Sequence, residues 1–152
     1  MDKILQILMG AIGTLGFGIL FNIRGKKLVL AVLGATLSWS LCVALESVMA
    51  GEPTRWFISA MFVAMWAETL ARLLRTPATT FLIPGIIPHI PGGALYNTMR
   101  FALERQWSEC FSKAFYTFRL ALSLALGIIV VHSLWTLAQR ILQKRIYAGV
   151  SS

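Results

Sequence analysis

From Ile4 to Ala138 the chain is built largely of apolar runs of about the 20 residues needed to cross a 30 Å hydrocarbon layer, which limits what it can fold into. Five segments can be marked, over residues 4–22, 28–49, 56–74, 78–99 and 118–138. The joints between the first four are short: I-R-G-K-K at 23–27, A-G-E-P-T-R at 50–55 and R-T-P at 75–77. None can hold a separate domain, so residues 1–152 read as one transmembrane domain. A soluble alternative fails on composition. Only 13% of residues are charged, against about 25% in soluble domains, and 57% are hydrophobic, too many for the polar residues to cover. The expected fold is therefore an all-α integral membrane protein.

The net charge of +8 does not point to nucleic acid. The basic residues stand at the ends of apolar runs, where Lys and Arg meet lipid headgroups, and form no patch interleaved with stacking aromatics. Cys42 and Cys110 have neither CxxC spacing nor neighbouring ligands, so they read as packing residues. The first run is too long for a signal-peptide core, lacks an Ala-x-Ala site and is followed by Arg24, Lys26 and Lys27. It reads as a retained transmembrane helix.

Between the fourth and fifth segments, Trp107, Phe111, Ala114, Phe115 and Phe118 recur on one helical face, with Arg105, Glu109, Ser112 and Lys113 largely elsewhere. The pattern predicts an amphipathic helix over 100–117 at the membrane interface or against a partner, with Glu109 and Lys113 as an i, i+4 ion pair. Counting Lys and Arg fixes the first three helices with the N-terminus outside. The fourth segment stays open: a full crossing places eight basic residues inside and six outside, and a re-entrant loop gives nine to five.

Two helices carry stripes of small residues, the means by which membrane helices approach closely. The second has Ala31, Ala35, Ser38 and Cys42, continued by Glu46; the third has Ala60, Ala64, Ala67 and Ala71, with Glu68 beside it. An ionisable group inside a span is costly and is a functional candidate by default. Glu68 is a candidate proton carrier, or the partner of Arg72 and Arg75 in an interfacial ion pair. Glu46 is a further candidate nearer a helix end. His132, on an apolar helix, is expected to bond a neighbouring helix.

The fourth segment, P-A-T-T-F-L-I-P-G-I-I-P-H-I-P-G-G-A-L-Y-N-T-M at 77–99, cannot be a continuous helix. Pro84, Pro88 and Pro91 each lack an N–H and would strip a helical partner from the carbonyls of Thr80, Pro84 and Ile87, at about 3 kcal/mol or more per interior proline. Gly85, Gly92 and Gly93 add backbone freedom there. In a bilayer, broken backbone is tolerated around a cavity or a buried contact, and transporters use it for midplane binding sites. The expected geometry is a helix ending near Pro84, an extended stretch and a second helix beginning at Pro91, Gly92 and Gly93, whose free N–H groups favour a carboxylate. Kinks packed against neighbours are the plainer alternative. His89, in the middle of the break, is either a titrating group or a donor to a freed carbonyl. Tyr96 and Asn97 can offer polar groups to a cavity, although Tyr96 also suits an interfacial anchor.

G-F-G-I-L-F-N at 16–22 before the basic turn, A-E-T-L-A-R at 67–72 and T-P-A-T-T-F-L-I-P-G-I-I-P-H-I-P-G-G-A-L-Y at 76–96 together resemble the threonine/serine exporter family, specifically the small subunit of its two-component, split form. The resemblance covers most of the chain. It implies a bacterial inner- or plasma-membrane exporter of small hydrophilic metabolites, threonine and serine in some members and a dicarboxylate such as succinate in others, driven by the proton-motive force. It also implies a larger membrane partner carrying the other half. An odd number of crossings in each half would make the halves inverted repeats, which favours five crossings with the N-terminus outside and the C-terminus cytoplasmic. His89 departs from the apolar residue expected at its place.

The reading that follows is a transport subunit for a small amino or carboxylic acid. Its substrate site draws on Thr80, Pro84, Gly85, Pro88, Pro91, Gly92, Gly93, Tyr96 and Asn97, and its candidate proton carriers are Glu68, His89 and Glu46. A non-transporting accessory subunit that stabilises a larger partner is the alternative. An enzyme ranks last, since no Ser/His/Asp grouping, metal-ligand cluster or phosphate loop occurs, and no cofactor is expected.

Overall fold

A computed structural model describes the backbone of residues 3–150 and the side chains of residues 3–141. Every regular element among them is helical: α1 (Lys3–Leu20), α2 (Lys26–Leu45), α3 (Glu52–Leu73), α4 (Thr79–Ile86), a 3₁₀ turn (Ile87–His89), α5 (Gly92–Leu103) and α6 (Trp107–Val150). Four helices are long and apolar enough to cross a membrane: α1, α2, α3 and the Trp107–Ile141 part of α6.

The joints explain where the helices stop. Asn22, Arg75 and Arg105 have φ of 58°, 49° and 58°, the left-handed conformation that closes a helix. In each case the following amide reaches back five residues, Ile23 to the Gly18 carbonyl, Thr76 to Ala71 and Gln106 to Phe101, all at 2.9 Å. α1, α3 and α5 therefore end in the same motif, which satisfies carbonyls that would otherwise be bare at a helix end. Gly25, at φ 63°, precedes α2, and a proline in its first turn opens α3.

Packing follows the small-residue stripes. Ala31, Ala35, Ser38 and Cys42 on α2 and Ala60, Ala64 and Ala67 on α3 are buried, while Ala71 is only partly so. On α6, Gly127 lies so close to α3 that an added Cβ would stand 2.7 Å from the Phe57 carbonyl oxygen and 2.8 Å from Ala60 Cβ. Trp66 of α3 lies across Gly34 of α2, its indole N–H donating to the Leu30 carbonyl at 3.0 Å. α4 packs against α2 and α3 through Phe81, Pro84 and Gly85. Large apolar side chains such as Ile12 and Leu20 point away from the bundle, as in a chain solvated by lipid.

Two expectations are corrected. There is no separate amphipathic helix over 100–117: residues 100–103 finish α5, the chain turns at 104–106, and the remainder forms the first turns of the same continuous helix as the fifth apolar run. Its aromatic face, Trp107, Phe111, Phe115 and Phe118, points outward, while Thr117 and Leu120 face the bundle. The Glu109–Lys113 pair is also absent; the i, i+4 pair in this region is Arg100–Glu104 at 3.7 Å.

Candidate functional site

The segment from α4 to α5 is shaped by its prolines. Pro88 cannot donate to the Pro84 carbonyl, so the Ile87 amide does so from three residues away. Pro91 cannot donate to the Ile87 carbonyl, and the Ile90 amide replaces it at 3.1 Å. Pro84, expected to end the first helix, lies inside α4, and a 3₁₀ turn stands where an extended stretch was expected; by tightening, it satisfies two of the three carbonyls expected to be free. Beyond it, Pro91 at φ −75° and ψ 55° makes an inverse γ-turn that brings the Gly92 amide to the Ile90 carbonyl at 2.7 Å. Gly92 N–H is therefore committed. The Gly93 and Ala94 amides at the start of α5 have no backbone acceptor among the described residues.

His89 closes the 3₁₀ turn and is fully buried. Its Nε2 lies 2.6 Å from Ser59 Oγ on α3 and 3.3 Å from Ser38 Oγ on α2, and the two serine oxygens are 2.8 Å apart. Each serine has one proton to give. Ser38 donates to the Ser59 carbonyl at 2.9 Å and Ser59 to the Ser38 carbonyl at 2.5 Å. Both serine protons have a carbonyl within reach, and the sense of the Ser59–His89 bond is set by the imidazole tautomer. Nδ1 is buried without a hydrogen-bond partner among the described residues, although the Gly85 carbonyl is close by. Trp39 and Trp56 meet the imidazole edge to face, with centroids at 5.3 and 6.2 Å. The small stripes and the broken segment therefore converge on one polar node inside an apolar box.

Cavities open at opposite ends of the bundle on either side of this node. One, of about 530 Å³, lies where α1 turns into α2 and α4 begins, and is lined by Asn22, Arg24, Lys27, Thr79, Thr80 and Pro84. The other, of about 290 Å³, lies beside the start of α3 and takes in Trp39, Trp56, Pro88, Pro91, Gly92, Gly93 and Asn97, with Glu52, Lys113 and Tyr116 at its polar edge. The residues expected to form one site are thus divided. Thr80 and Pro84 face the first cavity, and Pro88, Pro91, Gly92, Gly93 and Asn97 the second. Gly85 faces neither; it is buried against Val63, whose Cγ2 occupies the space an added Cβ would need. Tyr96 is 67% exposed and lines neither cavity.

The carboxylates also separate. Glu68 does not pair with Arg72 or Arg75; its Oε1 meets His132 Nδ1 on α6 at 2.8 Å, and both line a third, nearly apolar cavity of about 190 Å³. Arg72 instead covers the Trp135 ring at 5.2 Å. His132 bonds a neighbouring helix, as its place on an apolar face suggested. Glu46 is bound to Lys3 at 3.2 Å and Arg55 at 4.0 Å at the surface. Ser59, Glu52, Lys113 and Tyr116 were missed as site residues, because each depends on which faces meet across helices distant in sequence.

Apolar helices of membrane-spanning length, packed around a discontinuous segment, make this a multi-pass membrane protein. The chain belongs to the Threonine/Serine exporter, ThrE, family, whose model matches residues 6–134. This is a family of transporters rather than of enzymes. No curated protein and no solved structure matches the chain.

Proposed function

We propose that the chain is the small half of a two-part exporter of a small amino or carboxylic acid, of the threonine/serine or dicarboxylate kind, working with a larger membrane subunit. In this reading α1, α2, α3, the α4–α5 unit and α6 make five crossings of a bacterial cytoplasmic membrane, N-terminus outside and C-terminus inside, and the fourth is the discontinuous one. The observation that carries it is the position of His89, buried between two cavities that reach opposite ends of the bundle. A solute entering from the basic end would pass the 3₁₀ turn to reach the other cavity. Export would require the turn to move against Ser38 and Ser59. His89 or Glu68 carries a coupling proton from the proton-motive force; Glu46, already held by two cations, does not.

The test is efflux from proteoliposomes preloaded with threonine, serine or succinate, containing the chain with its partner subunit. Transport that depends on both subunits is expected, with Pro88→Ala and Gly92→Leu slowing it at unchanged complex abundance. Efflux unaffected by both substitutions would remove the α4–α5 segment from the pathway.

A further inference from the structure

We propose that the cavity between α3, α5 and α6 is a binding site for a zwitterionic α-amino acid, with Glu52 as the ammonium partner and Lys113 as the carboxylate partner. Resting on the transport reading, it selects one of the two substrate classes. Both side chains line the same cavity of about 290 Å³. They carry opposite charges, yet no contact within 4.0 Å joins them, and neither has another ion-pair partner among the described residues. Arg55, three residues beyond Glu52, turns to Glu46 instead.

Two opposite charges facing one cavity without closing on each other leave a gap that a molecule bearing both charges can bridge. Ligand pockets start at roughly 300 Å³, so this one suits a small solute. Glu52 is held in place on one side only: the Tyr116 hydroxyl donates to its Oε2, which leaves Oε1 for a ligand. Lys113 lies at the exposed rim with its ammonium 5.8 Å from the Tyr116 ring centre, so the phenol locates both charges. The Gly93 amide can add a donor to the carboxylate that Lys113 attracts. Trp39 and Trp56 give the inner wall an apolar surface for the side-chain carbons, and Asn97 can meet a hydroxyl. A dicarboxylate would set its second charge against Glu52, so this cavity selects against it.

The proposal is tested by equilibrium binding of radiolabelled threonine to the full chain in nanodiscs, with and without the partner subunit, competed by unlabelled analogues. Threonine and serine are expected to compete. N-acetylthreonine, which lacks the ammonium, threoninamide, which lacks the carboxylate, and succinate are expected to compete on the order of tenfold more weakly or worse. Glu52→Gln and Lys113→Gln should each weaken threonine binding by about tenfold or more, with monodisperse elution confirming intact protein. Glu52→Asp should restore part of it. Equal competition by succinate or N-acetylthreonine, unchanged binding in both Gln variants, or no threonine binding by intact protein would overturn the site. Binding as expected without efflux in proteoliposomes would reject the transport reading and leave the site standing, whereas efflux indifferent to both Gln variants would do the reverse.

Discussion

Ser59 Oγ on α3 lies 2.6 Å from His89 Nε2, so the turn between α4 and α5 is latched to the bundle by an imidazole. Ser38 and Ser59 hold each other's carbonyls independently of the histidine. Removing His89 should therefore release the turn without separating α2 from α3. A buried hydrogen bond of this kind contributes about 1 kcal/mol, and a buried polar group left unpaired costs about 1–3 kcal/mol.

His89→Leu should lower the thermal unfolding midpoint modestly and reduce efflux, whereas His89→Gln should keep the latch in a form that cannot hold a proton. If His89 carries the coupling proton, His89→Gln transports at a rate indifferent to an imposed pH gradient. Efflux that still follows the gradient in this variant assigns the proton elsewhere.

Glu68→Gln is the parallel test on α3. The substitution keeps a hydrogen-bonding group against His132 but removes the charge, and a hydrogen bond to a charged group is worth about 1.5–3 kcal/mol. A lower melting temperature in detergent is expected, together with loss of gradient-driven efflux if Glu68 is the carrier. Between Glu68→Gln and His89→Gln, the variant that abolishes the response to the gradient identifies the site.

Gly127→Ala should be costly. Its Cβ would meet the Phe57 carbonyl oxygen, which belongs to the α3 backbone and has no rotamer by which to escape. Overpacking of this kind costs about 1–3 kcal/mol. Gly13→Ala and Gly16→Ala meet nothing within 4 Å and should be neutral or stabilising by up to about 1 kcal/mol through helix propensity. Melting temperatures of the three variants, purified in one detergent, give the comparison; equal values would mean that α3 and α6 cross less closely.

Topology is open to single-cysteine labelling after Cys42→Ala and Cys110→Ala. With five crossings, Ser47→Cys and Glu104→Cys should react with an impermeant maleimide from outside intact cells, and Lys26→Cys and Pro77→Cys only after permeabilisation. Protection of Glu104→Cys would make the fourth segment a re-entrant loop.

Much of this architecture is written locally. Apolar runs of membrane length mark the helices, and the basic joint at 23–27 and the R-T-P joint mark turns that the structure closes with Asn22 and Arg75 in the left-handed conformation. The stripe from Ala31 to Cys42 identified a buried face from spacing alone, because a helix with a fixed period presents the same side at those positions. The helix over 100–117 misled for a related reason. Its aromatic face, expected at the membrane interface or against a partner, points away from the bundle; what the pattern could not give is the boundary, since nothing in it prevents α6 from running on.

The sequence by itself determined that this chain is a set of apolar helices around a segment whose prolines forbid a continuous helix, since a missing N–H is a covalent fact that no environment restores. Where the released groups went was decided by the tertiary structure. The 3₁₀ turn recaptured two carbonyls, the γ-turn took the Gly92 amide, and His89 found Ser38 and Ser59 on helices about 50 and 30 residues away in sequence. The same holds for Glu68, whose i+4 arginine was available but whose partner is His132, 64 residues on. Side chains at the meeting of three or four helices are chosen by interhelical distance and by exclusion of water, and neither is encoded in the spacing of residues along one helix.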